Sequence, residues 1–220
     1  MIRPLRGLYV ITPDRAANGS ADPGPPLVDL VASAIQGGAR VVQYRDKGPG
    51  WSRRQAAALL TLCRAAGIPL IVNDDIELAA AVGADGVHLG RDDADPRRAR
   101  EVLGPEALIG VSCYDRLDLA LAAERAGAGY VAFGSFFPSP TKPHAVRPGP
   151  DLLTEARRAL GVPLVAIGGI TPQNAGALIT AGADMVALIS GIFSAPDVTA
   201  AAQAYSRLFP APEHPTEDPQ

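Results

Sequence analysis

The sequence predicts an α/β protein, a compact single-domain (β/α)8 TIM barrel, and three observations lead to that prediction. Eight short apolar runs recur along the 220 residues. Most of these runs follow a glycine-containing helix end, and Ala- and Leu-rich stretches separate them. The runs are nearly continuously apolar, which is typical of parallel strands buried on both faces. Eight short strand–helix units favour a closed barrel over an open doubly wound sheet, whose GxGxxG fingerprint is missing after the first strand.

The elements follow in order along the chain. The predicted strands are LYVIT at 8–12, VVQYR at 41–45, LIVND at 70–74, GVHLG at 86–90, LIGVS at 108–112, YVAFG at 130–134, LVAIGG at 164–169 and MVALIS at 185–190. The segments between them have helical spacing, as in the stretch from Trp51 where Ala57, Leu60 and Cys63 recur at helical intervals. Residues 1–209 are expected to form the barrel, and the Pro-rich acidic tail 210–220 is expected to be disordered.

Composition narrows the class of protein. The net charge is −3, the pI is near 5.6 and no Lys/Arg run occurs, which argues against binding to nucleic acid or to an anionic membrane surface. No apolar run approaches the roughly 18 residues of a membrane span. Cys63 and Cys113 are the only cysteines, and the first residues do not resemble a signal peptide. We therefore expect a cytoplasmic protein with reduced thiols, and its oligomeric state stays open.

Polar residues collect at the carboxyl ends of the predicted strands, where barrel enzymes have their active sites. They are Gln43, Arg45 and Lys47 after strand 2, Asn73 and Asp74 after strand 3, Asp92, Asp93 and Asp95 after strand 4, Ser112 at the end of strand 5, and Ser139, Thr141 and Lys142 after strand 6. Acids on adjacent strands can hold Mg²⁺, which accepts one or two carboxylates together with phosphate oxygens. The Arg and Lys side chains can hold the remaining phosphate charge, so the pattern predicts a diphosphate substrate with Mg²⁺.

Two adjacent acids in "IVNDD" are expected to have different roles. Asp75 precedes an Ala-rich helical stretch, and we interpret it as the helix N-cap. Asp74 could serve as a cap or as a metal ligand, and the cations facing it favour the metal. His88 is interpreted as a barrel-interior or packing residue rather than a catalytic one. Cys113 is expected to point to the opposite face from Ser112.

A second anion site is predicted at strands 7 and 8. Gly168 and Gly169 allow a ligand to approach the backbone closely, and Thr171 with Pro172 has the form of a helix start. Ser190 and Gly191 supply the strand 8 side. Barrels often bind phosphate in these two loops. An ordinary glycine-rich turn would explain either loop alone, but the pair favours phosphate, and two anion sites imply two phosphorylated substrates.

The motifs at these strand ends resemble those of the thiamine-phosphate synthase family. They are VVQYRDK, IVNDD, GVHLGRDD, GVSCYD, FGSFFPSPTKP, AIGGITPQNA and ALISGIF, in order from about Leu8 to Phe193. The resemblance implies a transferase that joins hydroxymethylpyrimidine diphosphate to a thiazole phosphate and releases pyrophosphate. Arg91 departs from the family pattern, where Gln is frequent, and Ser139 stands where Thr is common.

The resemblance also implies residue roles. Contacts to the pyrimidine diphosphate are expected from Gln43, Tyr44, Arg45, Asp46, Lys47, Asn73, Ser112 and Lys142. Contacts to the thiazole phosphate are expected from Ser139, Pro140, Thr141, Gly169, Ile189 and Ser190. The expected Mg²⁺ ligands are Asp74 and Asp93. The catalytic groups are expected to be Arg45, Lys47 and Lys142.

These cations can stabilise the charge that grows on departing pyrophosphate, and the thiazole nitrogen needs no general base. We therefore expect a dissociative reaction. One competing reading is a thiazole tautomerase on the same barrel, which by resemblance relies on a His shortly after strand 5, where this chain has Tyr114. Another is a non-catalytic barrel that binds phosphorylated ligands, which would have no need of paired acids for a metal.

Overall fold

Eight parallel strands close into a barrel in chain order, each pairing with the next and β8 pairing with β1. A computed structural model of the protein describes residues 5–14, 26–45, 53–91, 93–138 and 147–209. The strands are β1 Gly7–Ile11, β2 Ala39–Tyr44, β3 Leu70–Asn73, β4 Gly86–Leu89, β5 Leu108–Tyr114, β6 Tyr130–Phe133, β7 Leu164–Ile167 and β8 Met185–Leu188. The helices are α1 Leu27–Gln36, α2 Arg53–Ala66, α3 Ile76–Val82, α4 Pro96–Leu103, α5 Leu117–Arg125, α6 Asp151–Ala159, α7 Pro172–Thr180, α8 Ser190–Phe193 and α9 Val198–Ser206.

The predicted fold class and all eight predicted strands are confirmed, although every strand ends one or two residues away from its predicted end. Two of these differences bear on the site. Strand β2 ends at Tyr44, so Arg45 lies beyond the strand instead of within it. Strand β5 continues past Ser112 to Tyr114, with an irregular pairing register against β6 between these two residues. The irregularity turns the end of β5 and changes the direction of the residues that follow Ser112. The tail 210–220, predicted to be disordered, lies outside the described residues.

The barrel wall separates two apolar clusters, because successive strand residues face opposite sides. The inner cluster fills the barrel and consists of Tyr9, Ile11, Val41, Ile71, Tyr130, Ala132, Val165, Met185 and Ala187. The outer cluster lies between the strands and the helices and includes Val42, Tyr44, Val72, Val131 and Cys113. Cys113 is thus on the outer side, as predicted.

Helix α2 shows how the outer layer is built and corrects one detail of the sequence pattern. Its buried face is formed by Ala56, Leu59, Leu60 and Cys63, spaced three and four residues apart. Ala57, which the spacing had placed on that face, is exposed. Among the described residues, no helix is both long and apolar enough to cross a membrane.

Candidate active site

The carboxyl end of β3 holds three polar residues with three different roles. Asn73 follows Ile71 of the inner cluster on the same side of the strand and is 7% exposed. Its Nδ2 atom is buried and has no hydrogen-bond partner among the described residues. Because a buried amide donor without a partner is costly, this atom is a candidate contact for a ligand oxygen.

Asp74 occupies a left-handed backbone conformation with φ of 63°. Its N–H donates to the carbonyl of His88 on β4 at 2.8 Å, and the N–H of Asp75 donates to the carbonyl of Asn73 at 2.7 Å. A non-glycine residue in this conformation costs about 1–2 kcal/mol. Such strain is found mainly at functional sites.

Asp75 is the N-cap of α3, as predicted. Its side chain accepts a hydrogen bond from the N–H of Leu78 at 2.8 Å. The acid that follows the strained residue is therefore accounted for by helix formation.

Asp93 follows β4, the strand that neighbours β3. The N–H of Gly90 donates to Oδ2 of Asp93 at 2.5 Å, and a Cβ added at Gly90 would lie 2.9 Å from that oxygen. The backbone N–H of Asp74 is hydrogen-bonded to the carbonyl of His88, which lies two residues before Gly90. The end of β4 therefore contacts the backbone of Asp74 and the side chain of Asp93. Among the described residues no group of three or more His, Cys, Asp or Glu side chains could hold a metal. The two carboxylates suit Mg²⁺, which completes its shell with water and substrate oxygens.

Arg45 is held at the rim by β1 and its following residues. Its N–H donates to Oγ1 of Thr12 at 2.8 Å, and that hydroxyl donates to the Arg45 carbonyl at 3.0 Å. The guanidinium lies 3.8 Å from Oδ2 of Asp14. This separation exceeds that of a charge-assisted hydrogen bond, so the ion pair places the cation at the rim without fully engaging its donors.

Tyr44 differs from the role that the family resemblance implied. Its side chain is fully buried in the outer cluster, and its hydroxyl donates to Oε1 of Gln55 on α2 at 3.1 Å. The phenol therefore lies on the helix side of the barrel wall, and the predicted substrate contact of Tyr44, which stays a prediction, would have to come from its backbone. Alternation along β2 explains this placement, because the neighbouring Gln43 faces inward.

A continuous chain of polar side chains crosses the barrel interior. Nε2 of Gln43 donates to the hydroxyl of Tyr9 at 2.8 Å, and the Tyr9 and Tyr130 hydroxyls are 2.8 Å apart. The Tyr130 hydroxyl lies 3.1 Å from Nδ1 of His88, and Nε2 of His88 lies 2.9 Å from Oγ of Ser112. We name these five residues the interior relay. Two of its members, Gln43 and Ser112, are predicted substrate contacts.

Burial determines the protonation state of the interior relay. It raises the pKa of the Tyr9 and Tyr130 phenols well above their usual value. It also lowers the pKa of His88 to about 4, although Asp93 acts in the opposite direction. At neutral pH the relay is therefore uncharged. His88 is a barrel-interior residue, as predicted, but the sequence interpretation missed its bonds and those of Tyr9 and Tyr130. The sequence could have indicated these bonds, because all of these residues occupy strand positions that face the barrel interior, as Gln43 and Ser112 do.

The ends of β6 and β7 pack tightly together. Gly168 and Gly169 have positive φ values of 101° and 62°. A Cβ added at Gly169 would lie 2.4 Å from the carbonyl oxygen of Pro138, and the N–H of Phe137 donates to the Gly168 carbonyl at 3.0 Å. The chain thus passes directly over Gly169 at the residue before Ser139.

Helix α7 begins as predicted, with Thr171 as N-cap and Pro172 as first residue. The N–H of Thr171 donates to Oδ1 of Asn174 at 2.8 Å, and Nδ2 of Asn174 donates to the Gly169 carbonyl at 3.2 Å. On the neighbouring strand, Ile189 precedes α8 and Ser190 is its first residue. The predicted residues Gly169, Ile189 and Ser190 therefore lie at adjacent strand ends.

Arg91, the departure from the family pattern, packs on Tyr114. The guanidinium carbon lies 4.5 Å from the centre of the Tyr114 ring, and the Arg91 N–H donates to the Tyr114 hydroxyl at 3.3 Å. Both residues, together with Gly90 and Ser112, line a cavity of about 550 Å³ at the ends of β4 and β5. The Arg91 charge is therefore directed to an aromatic face.

The rim brings together ten described residues that the sequence had selected. They are Gln43, Tyr44, Arg45, Asn73, Asp74, Asp93, Ser112, Gly169, Ile189 and Ser190, and the Tyr44 side chain lies in the outer cluster. Asp95, also selected, is the N-cap of α4, where its Oδ1 accepts a hydrogen bond from the N–H of Arg97 at 2.8 Å. Seven further selected residues lie outside the described residues: Asp46, Lys47, Asp92, Ser139, Pro140, Thr141 and Lys142. Their predicted roles stay predictions.

Comparison with known proteins agrees with this arrangement. The family model TMP-TENI, described as thiamine monophosphate synthase, matches residues 8–192. The thiamine-phosphate synthase of Thiobacillus denitrificans is 58% identical over 187 residues, covering 84% of this chain and 89% of the relative. That of Thioalkalivibrio sulfidiphilus is 52% identical over 210 residues, covering 93% of this chain and 96% of the relative.

A solved structure gives the same result. The thiamine phosphate pyrophosphorylase from Pyrococcus furiosus matches with a TM-score of 0.79 and 35% sequence identity, covering 93% of this chain and 95% of that one. Because the family model spans most of the sequence and the relatives match it over most of their own length, the chain belongs to the thiamine monophosphate synthase family.

Proposed function

We propose that this protein condenses hydroxymethylpyrimidine diphosphate with a thiazole phosphate, giving thiamine phosphate and pyrophosphate in a reaction that requires Mg²⁺. Membership in the family makes the chain an enzyme of thiamine biosynthesis, a transferase. The substrates, the metal and the order of bond changes are inferred from the site. The phosphorylated substrates and the two free buried cysteines are consistent with a cytoplasmic enzyme.

The observation that carries the proposal is the unpartnered amide of Asn73 beside Asp74. Nδ2 of Asn73 is buried at the strand end and has no hydrogen-bond partner among the described residues, so it is available to donate to a group that enters the site. A phosphate oxygen is such a group, and a charge-assisted hydrogen bond would offset the cost of burying this donor. Asn73 thereby binds one oxygen of the diphosphate next to the proposed metal ligands.

The metal site is assigned to Asp74 and Asp93 because their carboxylates are hard oxygen donors at adjacent strand ends. Bound there, Mg²⁺ would neutralise part of the charge on the diphosphate. The protein positions Asp93 through the Gly90 N–H and fixes Asp74 through the backbone bond to His88. One contact involves the backbone of β4 and the other the backbone of the residue that follows β4, so one strand end orients the two acids.

Arg45 binds the departing pyrophosphate together with Lys47 and Lys142. The Thr12 hydroxyl fixes the Arg45 backbone, and Asp14 lies against the guanidinium. A cation preorganised in this way stabilises negative charge as it grows on the leaving group. Lys47 and Lys142 follow from the family resemblance and lie outside the described residues.

The chemistry is proposed to be dissociative. Carbon–oxygen cleavage comes first, the aminopyrimidine delocalises the positive charge on its methylene carbon, and the thiazole nitrogen then attacks with its own lone pair. The protein contributes by positioning the two substrates and by binding the leaving anion. An electron-withdrawing substituent on the pyrimidine should slow the chemical step in single turnover far more than it weakens binding. A rate insensitive to the substituent would indicate direct displacement.

The thiazole phosphate is assigned to the rim at β7 and β8. Gly168 and Gly169 present backbone where a side chain would collide with residues that follow β6, and Ser190 adds a hydroxyl. Backbone N–H groups of this kind are suited to phosphate. The rim at β7 and β8 is separate from the acidic rim at β3 and β4, which agrees with two substrates that carry different phosphate groups.

A thiazole tautomerase is the second candidate. That reading needs a His after β5, and the corresponding Tyr114 packs under the Arg91 guanidinium. The deciding experiment incubates the purified chain with both substrates and follows pyrophosphate and thiamine phosphate, with Mg²⁺ and with a chelator. Product that requires both substrates and Mg²⁺ supports the proposal. Isomerisation of a thiazole substrate alone, without pyrophosphate release, would support the tautomerase.

A further inference from the structure

The interior relay connects two strands that are not neighbours. Gln43 lies on β2 and Ser112 on β5, with β3 and β4 between them in the closed barrel. Tyr9, Tyr130 and His88 provide the hydrogen bonds that join them across the interior. No role in the reaction was assigned to these three residues above.

The protons of the relay can be counted. Nε2 of Gln43 donates to the Tyr9 oxygen, which leaves the Tyr9 proton to donate to Tyr130. The Tyr130 proton then goes to Nδ1 of His88, so the neutral ring carries its proton on Nε2 and donates to Ser112. In this arrangement every proton inside the relay has an acceptor. Gln43 turns its amide oxygen away from Tyr9, and Ser112 keeps its own proton for a group at the barrel mouth.

The opposite direction is also complete. If Gln43 turns its amide, Tyr9 donates to the amide oxygen, and each following bond reverses until Ser112 donates to His88. A mixture of the two directions would place two protons, or two lone pairs, against each other at a buried link. That mismatch leaves a buried polar group unsatisfied, which is costly in a low dielectric. The relay therefore adopts one direction along its whole length.

We propose that Tyr9, Tyr130 and His88 are positioning residues that keep Gln43 and Ser112 opposite in polarity, so that the site selects a ring with one donor edge and one acceptor edge. The inference rests on the proposed function. An aminopyrimidine carries an amino donor on one edge and a ring nitrogen acceptor on the opposite edge. In the orientation that follows from the Gln43 to Tyr9 hydrogen bond, Gln43 would accept from the ligand and Ser112 would donate to it.

Gly110 indicates that space for the relay is built into the wall. A Cβ added at Gly110 would lie 2.1 Å from Cζ of Tyr130 and 2.3 Å from its hydroxyl oxygen. Any other residue on this inward position of β5 would displace the hydroxyl that joins Tyr9 to His88. The aromatic rings also pack on each other, with His88 and Tyr130 stacked at 5.6 Å between centres and Tyr9 edge-on to Tyr130 at 5.9 Å.

The test compares two ligands in the absence of thiazole phosphate, so that no turnover occurs. One is hydroxymethylpyrimidine diphosphate, and the other carries a methoxy group in place of the amino group and so has two acceptor edges. Calorimetry measures both dissociation constants for the wild type, Tyr130→Phe and Tyr9→Phe. Val131→Ala is the matched control, because Val131 follows Tyr130 on β6 but faces the outer cluster.

The wild type should prefer the amino ligand by on the order of 100-fold, because the methoxy ligand forces a mismatch within the relay. Cutting the relay in Tyr130→Phe or Tyr9→Phe lets Gln43 and Ser112 orient independently, so the preference should fall about tenfold or more. Val131→Ala should keep the wild-type preference, and thiazole phosphate affinity should stay within about twofold throughout.

An unchanged preference in both tyrosine variants would overturn the inference while leaving the proposed function intact. An equal fall in Val131→Ala would also overturn it, because general loosening of the barrel would then explain the result. A wild-type chain that forms no thiamine phosphate from the two substrates would refute the proposed function and this inference with it.

Discussion

Two parts of the same rim, each proposed to bind an anion, are built in different ways. At β3 and β4 the site is made of side chains, with the unpartnered amide of Asn73, the strained Asp74 and the Gly90-bound Asp93. At β7 and β8 it is made of backbone, with Gly168 and Gly169 in conformations that favour glycine. The difference agrees with the proposal that the first region binds a metal-linked diphosphate and the second a simple phosphate. Single side-chain changes should therefore be severe in the first region and mild in the second.

The largest expected effect is at the acidic rim. Asp74→Asn should lower kcat/KM on the order of 100-fold at limiting Mg²⁺, because it removes a charged oxygen from the metal. The fold should be retained, since Asn also tolerates the left-handed conformation. A Mg²⁺ titration of initial rates measures the effect, and Asp93→Asn should behave in the same way.

Asp75→Ala is the matched control, one residue away. It removes the N-cap of α3 and should cost about 1 kcal/mol in the free energy of unfolding, with little change in the Mg²⁺ dependence. Near wild-type rates for Asp74→Asn at limiting Mg²⁺ would show that Asp74 is not a metal ligand. The proposed difference between the two regions of the rim would then be wrong.

An intermediate effect is expected at Asn73. Asn73→Leu should raise the KM for the pyrimidine diphosphate about tenfold, because one charge-assisted hydrogen bond is lost. The free energy of unfolding should not fall, since no described partner loses a bond to Nδ2. Steady-state kinetics and denaturant unfolding measure the two quantities. A loss of stability with an unchanged KM would assign Asn73 to the fold instead of the site.

The smallest side-chain effect is expected at the glycine rim. Ser190→Ala should change the KM for the thiazole phosphate by only about threefold or less, because backbone donors remain. Gly169→Ala should be much worse, raising that KM and costing about 1–2 kcal/mol in unfolding free energy, since φ is 62° and Pro138 lies in the way. Unfolding and kinetics of both variants test the difference. If Ser190→Ala had the larger effect on KM, the region would depend on its side chain.

The strands and helix starts could be predicted from the sequence because local chemistry determines them. Continuous apolar runs marked the eight strands, and Asp75 and Thr171 preceded helices at capping positions. The interior relay could not be predicted in the same way. Tyr9 and Tyr130 are 121 residues apart, and both looked like ordinary apolar strand residues. Strand alternation places both side chains on the inner side of the wall, but the hydrogen bond between their hydroxyls forms only because the barrel closes.

Other features of the site depend on geometry that residue types do not specify. The sequence placed Tyr44 among the substrate contacts with Gln43 and Arg45, whereas alternation turns its ring to the helices. It placed Asp74 at a strand end but could not give the left-handed turn, which depends on the bond to His88. The irregular end of β5, which places Tyr114 beneath Arg91, likewise arises from pairing with β6.

The backbone at Asp74 also has a consequence for protein engineering. Glycine adopts a φ of 63° without the steric cost that aspartate bears, so a library sorted only for thermal resistance should enrich Asp74→Gly. By the proposed role of this carboxylate, the enriched proteins would melt at a higher temperature and lose most of their activity at limiting Mg²⁺. Thermal stability and activity would then make opposite demands on residue 74. Mutagenesis that aims to stabilise this barrel should therefore keep Asp74 unchanged.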